Sequence, residues 1–239
     1  MSALFEEIDF QKTPLGDLIL QRRRYMQLGG LDVYEVKLGD AFLMSSLFHV
    51  VEEALSTLGL AAADGDMLDV VVGGLGLGYT AQKALEDERV KSLLVVDTMA
   101  AVIGWHERGL VPLGAGLSSD ERCRFIHGDF FKLADPAIGF DPQEPDRKFD
   151  AVLLDIDHSP KNLLHVAHGG FYESEGLRQL ADQLRPGGVF ALWSDDAPDE
   201  DFLKALRSVF ATAAAEVVTF PNPLLETESE STVYVAKLE

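Results

Sequence analysis

From Asp66 onward, short apolar runs alternate with segments whose apolar positions recur every three or four residues. The runs at 68–72, 93–96, 123–127, 149–154, 187–193, 215–220 and 231–237 predict strands, because β-branched and aromatic residues dominate them. The segments near 79–88, 98–108, 171–184 and 199–210 have helical period. Such alternation implies a parallel sheet covered on both faces by helices. Arg185-Pro186-Gly187-Gly188 is expected to end helix 171–184 before the next strand. The last two strands are expected to form an antiparallel pair across the polar stretch Glu226-Thr227-Glu228-Ser229-Glu230, completing seven strands. Segment 134–148 holds three prolines and is expected to be a surface loop that could act as a lid.

Before Asp66 the pattern differs. Leu18-Ile19-Leu20, Tyr25-Met26-Gln27-Leu28 and Asp32 to Leu38 are short strand candidates. They are punctuated by a turn at Thr13-Pro14-Leu15-Gly16-Asp17 and by Gly29-Gly30 and Gly39-Asp40. Arg22-Arg23-Arg24 reads as a solvated strand edge. Ser45-Ser46 is expected to open a helix from Leu47 to Leu58, with Gly59 ending it and His49 on its surface or in the core. The chain thus divides into a β-rich appendage over 1–45 and an α/β domain over 46–239.

Composition narrows the classes. The 239 residues are 47% hydrophobic, enough for a large core, and no run is long enough to span a membrane. Met1-Ser2-Ala3-Leu4-Phe5-Glu6-Glu7 lacks the basic and apolar regions of a secretory signal. The single Cys123 allows no internal disulfide and no cysteine metal cluster. A cytoplasmic location is the default expectation. The net charge of −20 argues against nucleic acid as the main partner. It suits a cationic small molecule, although solubility alone would also explain it.

Candidate chemistry gathers at strand ends. Leu68-Asp69-Val70-Val71-Val72 runs into Gly73-Gly74-Leu75-Gly76-Leu77-Gly78, and Tyr79 to Leu85 has helical character. Strand, glycine loop and helix start make a cradle for a nucleotide-like group. The second strand ends in Asp97, about twenty residues beyond the loop, placed to accept from ribose hydroxyls. Asp129 follows the third strand and Asp155 ends the fourth. Ligands of open α/β sheets bind beyond the carboxyl ends of the strands, so these features converge on one crevice. Asp129 could instead be a turn residue bonded to its own backbone, and Asp155 a cap on the next segment. Gly76-Leu77-Gly78-Tyr79-Thr80-Ala81 also fits G-x-G-x-x-A, which leaves an NAD-dependent oxidoreductase as a second class.

In order along the chain, the glycine loop, Asp97, Gly128-Asp129, Phe149 to Asp155, Phe171-Tyr172 and Leu184-Arg185-Pro186-Gly187-Gly188 resemble the polyamine aminopropyltransferases, of which spermidine synthase is the type. The nucleotide half is shared with S-adenosylmethionine-dependent methyltransferases. The resemblance implies a Rossmann-like, seven-stranded methyltransferase-type sheet with a small N-terminal β-rich appendage, and the appendage is expected to be the contact of a homodimer. It implies decarboxylated S-adenosylmethionine or S-adenosylmethionine as co-substrate and a cationic amine as acceptor; His158, His165 and His168 near Asp155 and Asp157 could suggest a metal, but without a fixed ligand spacing no metal is expected. By position, Gly73, Gly74, Gly76 and Gly78 would line the nucleoside and sulfonium, Asp97 the ribose and Asp129 the adenine. Asp155 would take the place of the catalytic Asp. Gly76 stands where the family loop carries an Asp, His158 where it carries a second acid, and Met44-Ser45 where it carries Tyr-Gln. His158 is therefore a further catalytic candidate, either as a base or as a substrate contact. Methyl transfer and a catalytically inactive nucleoside-binding protein remain as alternatives.

Overall fold

The computed structural model describes residues 4–13 and 16–239. Pro14 and Leu15 of the expected turn lie outside them. The first sheet is antiparallel, with β1 (Phe5–Thr13), β2 (Gly16–Tyr25), β3 (Leu31–Leu38) and β4 (Ala41–Ser45) in chain order. The strand expected over Tyr25–Leu28 does not form: Tyr25 closes β2, and Met26–Leu28 is one 3-10 turn. The reason is Gly29-Gly30, whose positive φ angles of 71° and 81° reverse the chain immediately afterwards. The arginine triplet lies on β2, between β1 and β3, and is not a sheet edge. Cross-strand acids accompany it: Arg22 meets Glu6 at 2.7 Å and Arg24 meets Asp32 at 2.5 Å.

The second sheet has seven strands in the order β10-β11-β9-β8-β5-β6-β7. They are β5 (Leu68–Gly73), β6 (Val90–Asp97), β7 (Cys123–His127), β8 (Phe149–Leu154), β9 (Leu184–Ser194), β10 (Thr212–Asn222) and β11 (Thr227–Lys237). β7 through β9 are parallel, while β11 is antiparallel to both β9 and β10. Every residue of β5 is buried, as a strand covered on both faces requires. Helices α1 (Val50–Ala62), α2 (Tyr79–Leu85), α3 (Ala100–Glu107), α4 (Gly114–Ser119), α5 (Phe130–Leu133), α6 (Ser174–Ala181) and α7 (Glu200–Arg207) complete the fold. Neither α4 nor α5 was expected; both are too short to show a period.

Four expectations change for physical reasons. Gly59 does not end the first helix but sits inside it, where a Cβ would come 2.6 Å from Leu153 Cδ2 and 3.1 Å from Ala191 Cβ. It lets α1 lie directly on β8 and β9. Ser45 and Ser46 do not open α1, since their hydroxyls accept from the amides of Leu47 and Tyr34 and fasten the exit from β4. The Arg185–Gly188 stretch is not a break before β9 but a bulge within it, because Phe149 pairs with Leu184 while Ala151 pairs with Val189. Thr227–Glu230 belongs to β11, paired with Thr219–Asn222, and the connecting turn is shorter than expected.

Segment 134–148 is not a lid over the strand tips. Phe140 is fully buried, and Asp141 binds Arg124 and Arg147. Arg147 continues to Asp69 at 2.7 Å, near the amino end of β5. The segment is therefore anchored at the opposite edge of the sheet from the glycine loop.

Candidate active site

The four neighbouring strands β8, β5, β6 and β7 present their carboxyl tips side by side. Gly73 ends β5, and its carbonyl accepts from the Asp155 amide at 2.8 Å. Gly74 takes a φ of 95°, and a Cβ there would run into the Asp155 carbonyl. Only glycine allows the loop to pass so close to the β8 tip. The Gly74 amide donates to Val96 on β6 at 2.9 Å, so the loop is tied to both adjacent strands.

Asp97 is buried and accepts from the amides of Leu75 at 3.0 Å and Met99 at 2.7 Å. It therefore shapes the glycine loop directly. Burial pushes its carboxyl above the ordinary range, against the pull of these amides. Each carboxylate oxygen has a second lone pair, so acceptor capacity remains for a hydroxyl. Asp129 caps α5, accepting from Phe131 at 3.1 Å and Lys132 at 3.4 Å. It sits one strand further along, and the neighbouring Gly128 amide donates to the Asp97 carbonyl at 3.0 Å.

Asp155 follows β8 directly, and its Oδ2 accepts from the Thr80 hydroxyl at 2.7 Å. Thr80 lies in the first turn of α2, just past the glycine loop. Burial raises the Asp155 carboxyl to about 6, and the Thr80 bond offsets only part of this. Its neighbour in charge is Glu52 of α1, raised to about 8 by burial first and by repulsion from Asp155 second. Sequence reasoning missed Glu52. The available signal was its alignment with Ser56, Gly59 and Leu60 on the buried stripe of α1, where a lone acid is out of place.

His158 lies three residues beyond Asp155, and its carbonyl accepts from Asp195 at 2.7 Å, which ties this loop to the one after β9. Asp157 is fully buried and accepts from Leu164, His168 and Tyr172, so it holds the loop that follows β8. His168 also stacks on Phe131 at 3.9 Å. Among the described residues no three His, Cys, Asp or Glu gather in metal-holding geometry. At Gly76 a Cβ would come 2.8 Å from Met44 Sδ, so the glycine loop packs closely against β4. A cavity of about 350 Å³ opens at the carboxyl ends of β8 and β9, lined by Ser159, Lys161, Asp196, Asp199 and Tyr234 among others.

This chain is similar to a polyamine aminopropyltransferase of Sulfolobus acidocaldarius, with 26% identity over 226 residues. The match covers 91% of this chain and 66% of that protein, so the chain spans just under two thirds of its relative's length. The crystal structure of spermidine synthase from Thermotoga maritima superposes with a TM-score of 0.72 at 12% identity, covering 98% of this chain and 72% of that one. Human methyltransferase-like protein 13 in complex with SAH gives a TM-score of 0.59 at 16% identity, over 78% of this chain and 82% of that one. No family model matches the chain. The fold is thus the methyltransferase-type sheet with a separate N-terminal antiparallel sheet.

Proposed function

We propose that this chain is an aminopropyltransferase that alkylates a small cationic amine, using decarboxylated S-adenosylmethionine as donor. The observation that carries this reading is Asp155, held by Thr80 at the strand tip beside the glycine loop, in a chain similar along 91% of its length to a polyamine aminopropyltransferase. In this reading Gly73, Gly74, Gly76 and Gly78 line the nucleoside and sulfonium, Asp97 takes the ribose hydroxyls and Asp129 the adenine. The acceptor nitrogen attacks the carbon next to the sulfonium, the carbon–sulfur bond breaks onto sulfur, and methylthioadenosine leaves. Asp155 takes the proton that the attacking nitrogen loses. Positioning does most of the work, because the leaving group is already activated by its charge. A carboxyl raised to about 6 is ionised near pH 7 yet basic enough to accept that proton. His158 is read as an acceptor contact.

The same proposal includes residues 1–45 as an appendage to a nucleoside-binding domain over 46–239, a homodimer joined through that appendage, and a cytoplasmic location. Exposed Phe5, Phe10, Leu31 and Phe42 on the first sheet support the dimer contact. Among the described residues no helix is long and apolar enough to cross a membrane.

Calorimetry with methylthioadenosine, decarboxylated S-adenosylmethionine, S-adenosylmethionine and NAD tests the reading. Tightest binding of the decarboxylated donor is expected. Preference for S-adenosylmethionine would replace aminopropyl transfer with methyl transfer, and binding of NAD alone would overturn the nucleoside assignment.

A further inference from the structure

Glu52 has no role in the chemistry derived so far, yet its position is constrained. On α1 it stands one turn before Ser56, so the two share a face. The Ser56 hydroxyl donates to the Thr80 carbonyl at 2.7 Å, and the Thr80 hydroxyl donates to Asp155 at 2.7 Å. That face of α1 is thereby fastened against the residue that orients Asp155. Both Glu52 and Asp155 are only partly buried, so neither side chain is sealed into the core.

Glu52 sits among acids, a tyrosine and a histidine. Asp155 faces it from the β8 tip, Glu53 and His49 lie on its own helix and helix start, and Tyr79 comes from α2. His49 is engaged with Glu53 at 2.7 Å and stacks on Tyr79 at 4.4 Å. Among the described residues neither Glu52 nor Asp155 has an ion-pair partner, although twenty other ion pairs form elsewhere. Two half-buried carboxylates facing each other without a cation are costly unless something fills that role.

We propose that Glu52 is a substrate-binding carboxylate, and that with Asp155 it receives an alkylammonium group of the substrate, from either the acceptor diamine or the donor's aminopropyl chain. This rests on the amine-transfer reading above and adds a residue to it. In the empty site the pair keeps a proton near pH 7, because both carboxyls are raised. A docking ammonium replaces that proton, so binding releases it to solvent.

The test is calorimetry at pH 7 in two buffers of different ionisation heat, on the full chain and on Glu52→Gln. The probes are 1,4-diaminobutane, with and without methylthioadenosine, and decarboxylated S-adenosylmethionine. The wild type is expected to release protons with one of the two ammonium ligands. Glu52→Gln should bind that ligand about ten- to a hundredfold more weakly with most of the release lost, as removal of one charged partner predicts. Weakening confined to the diamine assigns the acceptor, and weakening confined to the donor assigns the aminopropyl chain; either supports the proposal. Unchanged affinity and proton release for both, or no binding of either to the wild type, overturns it. Methylthioadenosine affinity reads the nucleoside site separately: its loss in the wild type would sink the functional reading alone. The variant's folding is checked by its melting temperature, which should match or exceed the wild type at pH 9, where the native Glu52 is ionised.

Discussion

At the amino ends of β5 and β8, Asp69 and Asp150 share the guanidinium of Arg185, and Asp69 also meets Arg147 at 2.7 Å. Asp141 joins them through Arg147 and Arg124. Burial works against ionisation of Asp69 and Asp141, but arginine and amide hydrogen bonds outweigh it and hold both below the ordinary carboxylate range. At the carboxyl ends of the same two strands, Asp155 and the nearby Glu52 have no arginine, and burial pushes both up. The two ends carry the same kind of side chain. What differs is whether the fold brings its own cation. The amino end is complete by itself, and the carboxyl end lacks a cation of its own, which the proposed function assigns to the substrate.

Breaking the complete end should cost the most stability. Arg147→Met leaves Asp69 with Arg185 alone and Asp141 with Arg124 alone, and unfolding by denaturant should show a loss of about 2–3 kcal/mol. Methylthioadenosine affinity, measured on the folded fraction, should not change. The reverse holds at the other end. Asp155→Asn should keep methylthioadenosine affinity and at least the wild-type melting temperature while turnover falls by about a hundredfold or more. Equal turnover in that variant would remove Asp155 from the chemistry.

Between the two ends, Gly59→Ala should cost about 2 kcal/mol in denaturant unfolding, because its methyl would meet Leu153 on β8. The same contrast shows in pH dependence. Asp69 and Asp141, held low, contribute stability above the ordinary carboxylate pKa that is lost as acid carries the pH down through that range and below. Glu52 and Asp155, held high, act in the opposite direction: stability falls as pH rises from about 4 through 6 to 8. Denaturant midpoints across pH should therefore fall at both extremes, and Glu52→Gln should flatten only the alkaline side. Turnover should have an acid limb near pH 6, where Asp155 ionises.

The core strands and strand-tip acids were legible because their signals are local. Val70-Val71-Val72 and Ala151-Val152-Leu153-Leu154 must be buried on both faces, which fixes where the strands end and so where an acid at the tip stands. Thr227–Glu230 hid its strand because one face of the β10–β11 hairpin is exposed and takes polar residues. Gly59 looked like a helix stop because its reason lies on β8 and β9, far away in the chain. Segment 134–148 carried loop residues but is pinned by Phe140 and Asp141, whose partners are equally remote. Glu52 was the same kind of case. An acid on a helix is ordinary until α1 is laid across Thr80 and Asp155. Asp157 likewise shows its fixing role only once His168 and Tyr172 fold back onto it.

The most direct measurement is product analysis by mass spectrometry after incubating the protein with decarboxylated S-adenosylmethionine and 1,4-diaminobutane, with S-adenosylmethionine in a parallel reaction and Asp155→Asn as control. Methylthioadenosine and an aminopropylated amine in equal amounts, formed about a hundredfold more slowly or not at all in the control, are the predicted result. Conversion of S-adenosylmethionine to S-adenosylhomocysteine with no methylthioadenosine from the decarboxylated donor would contradict it, and so would failure to turn over either donor.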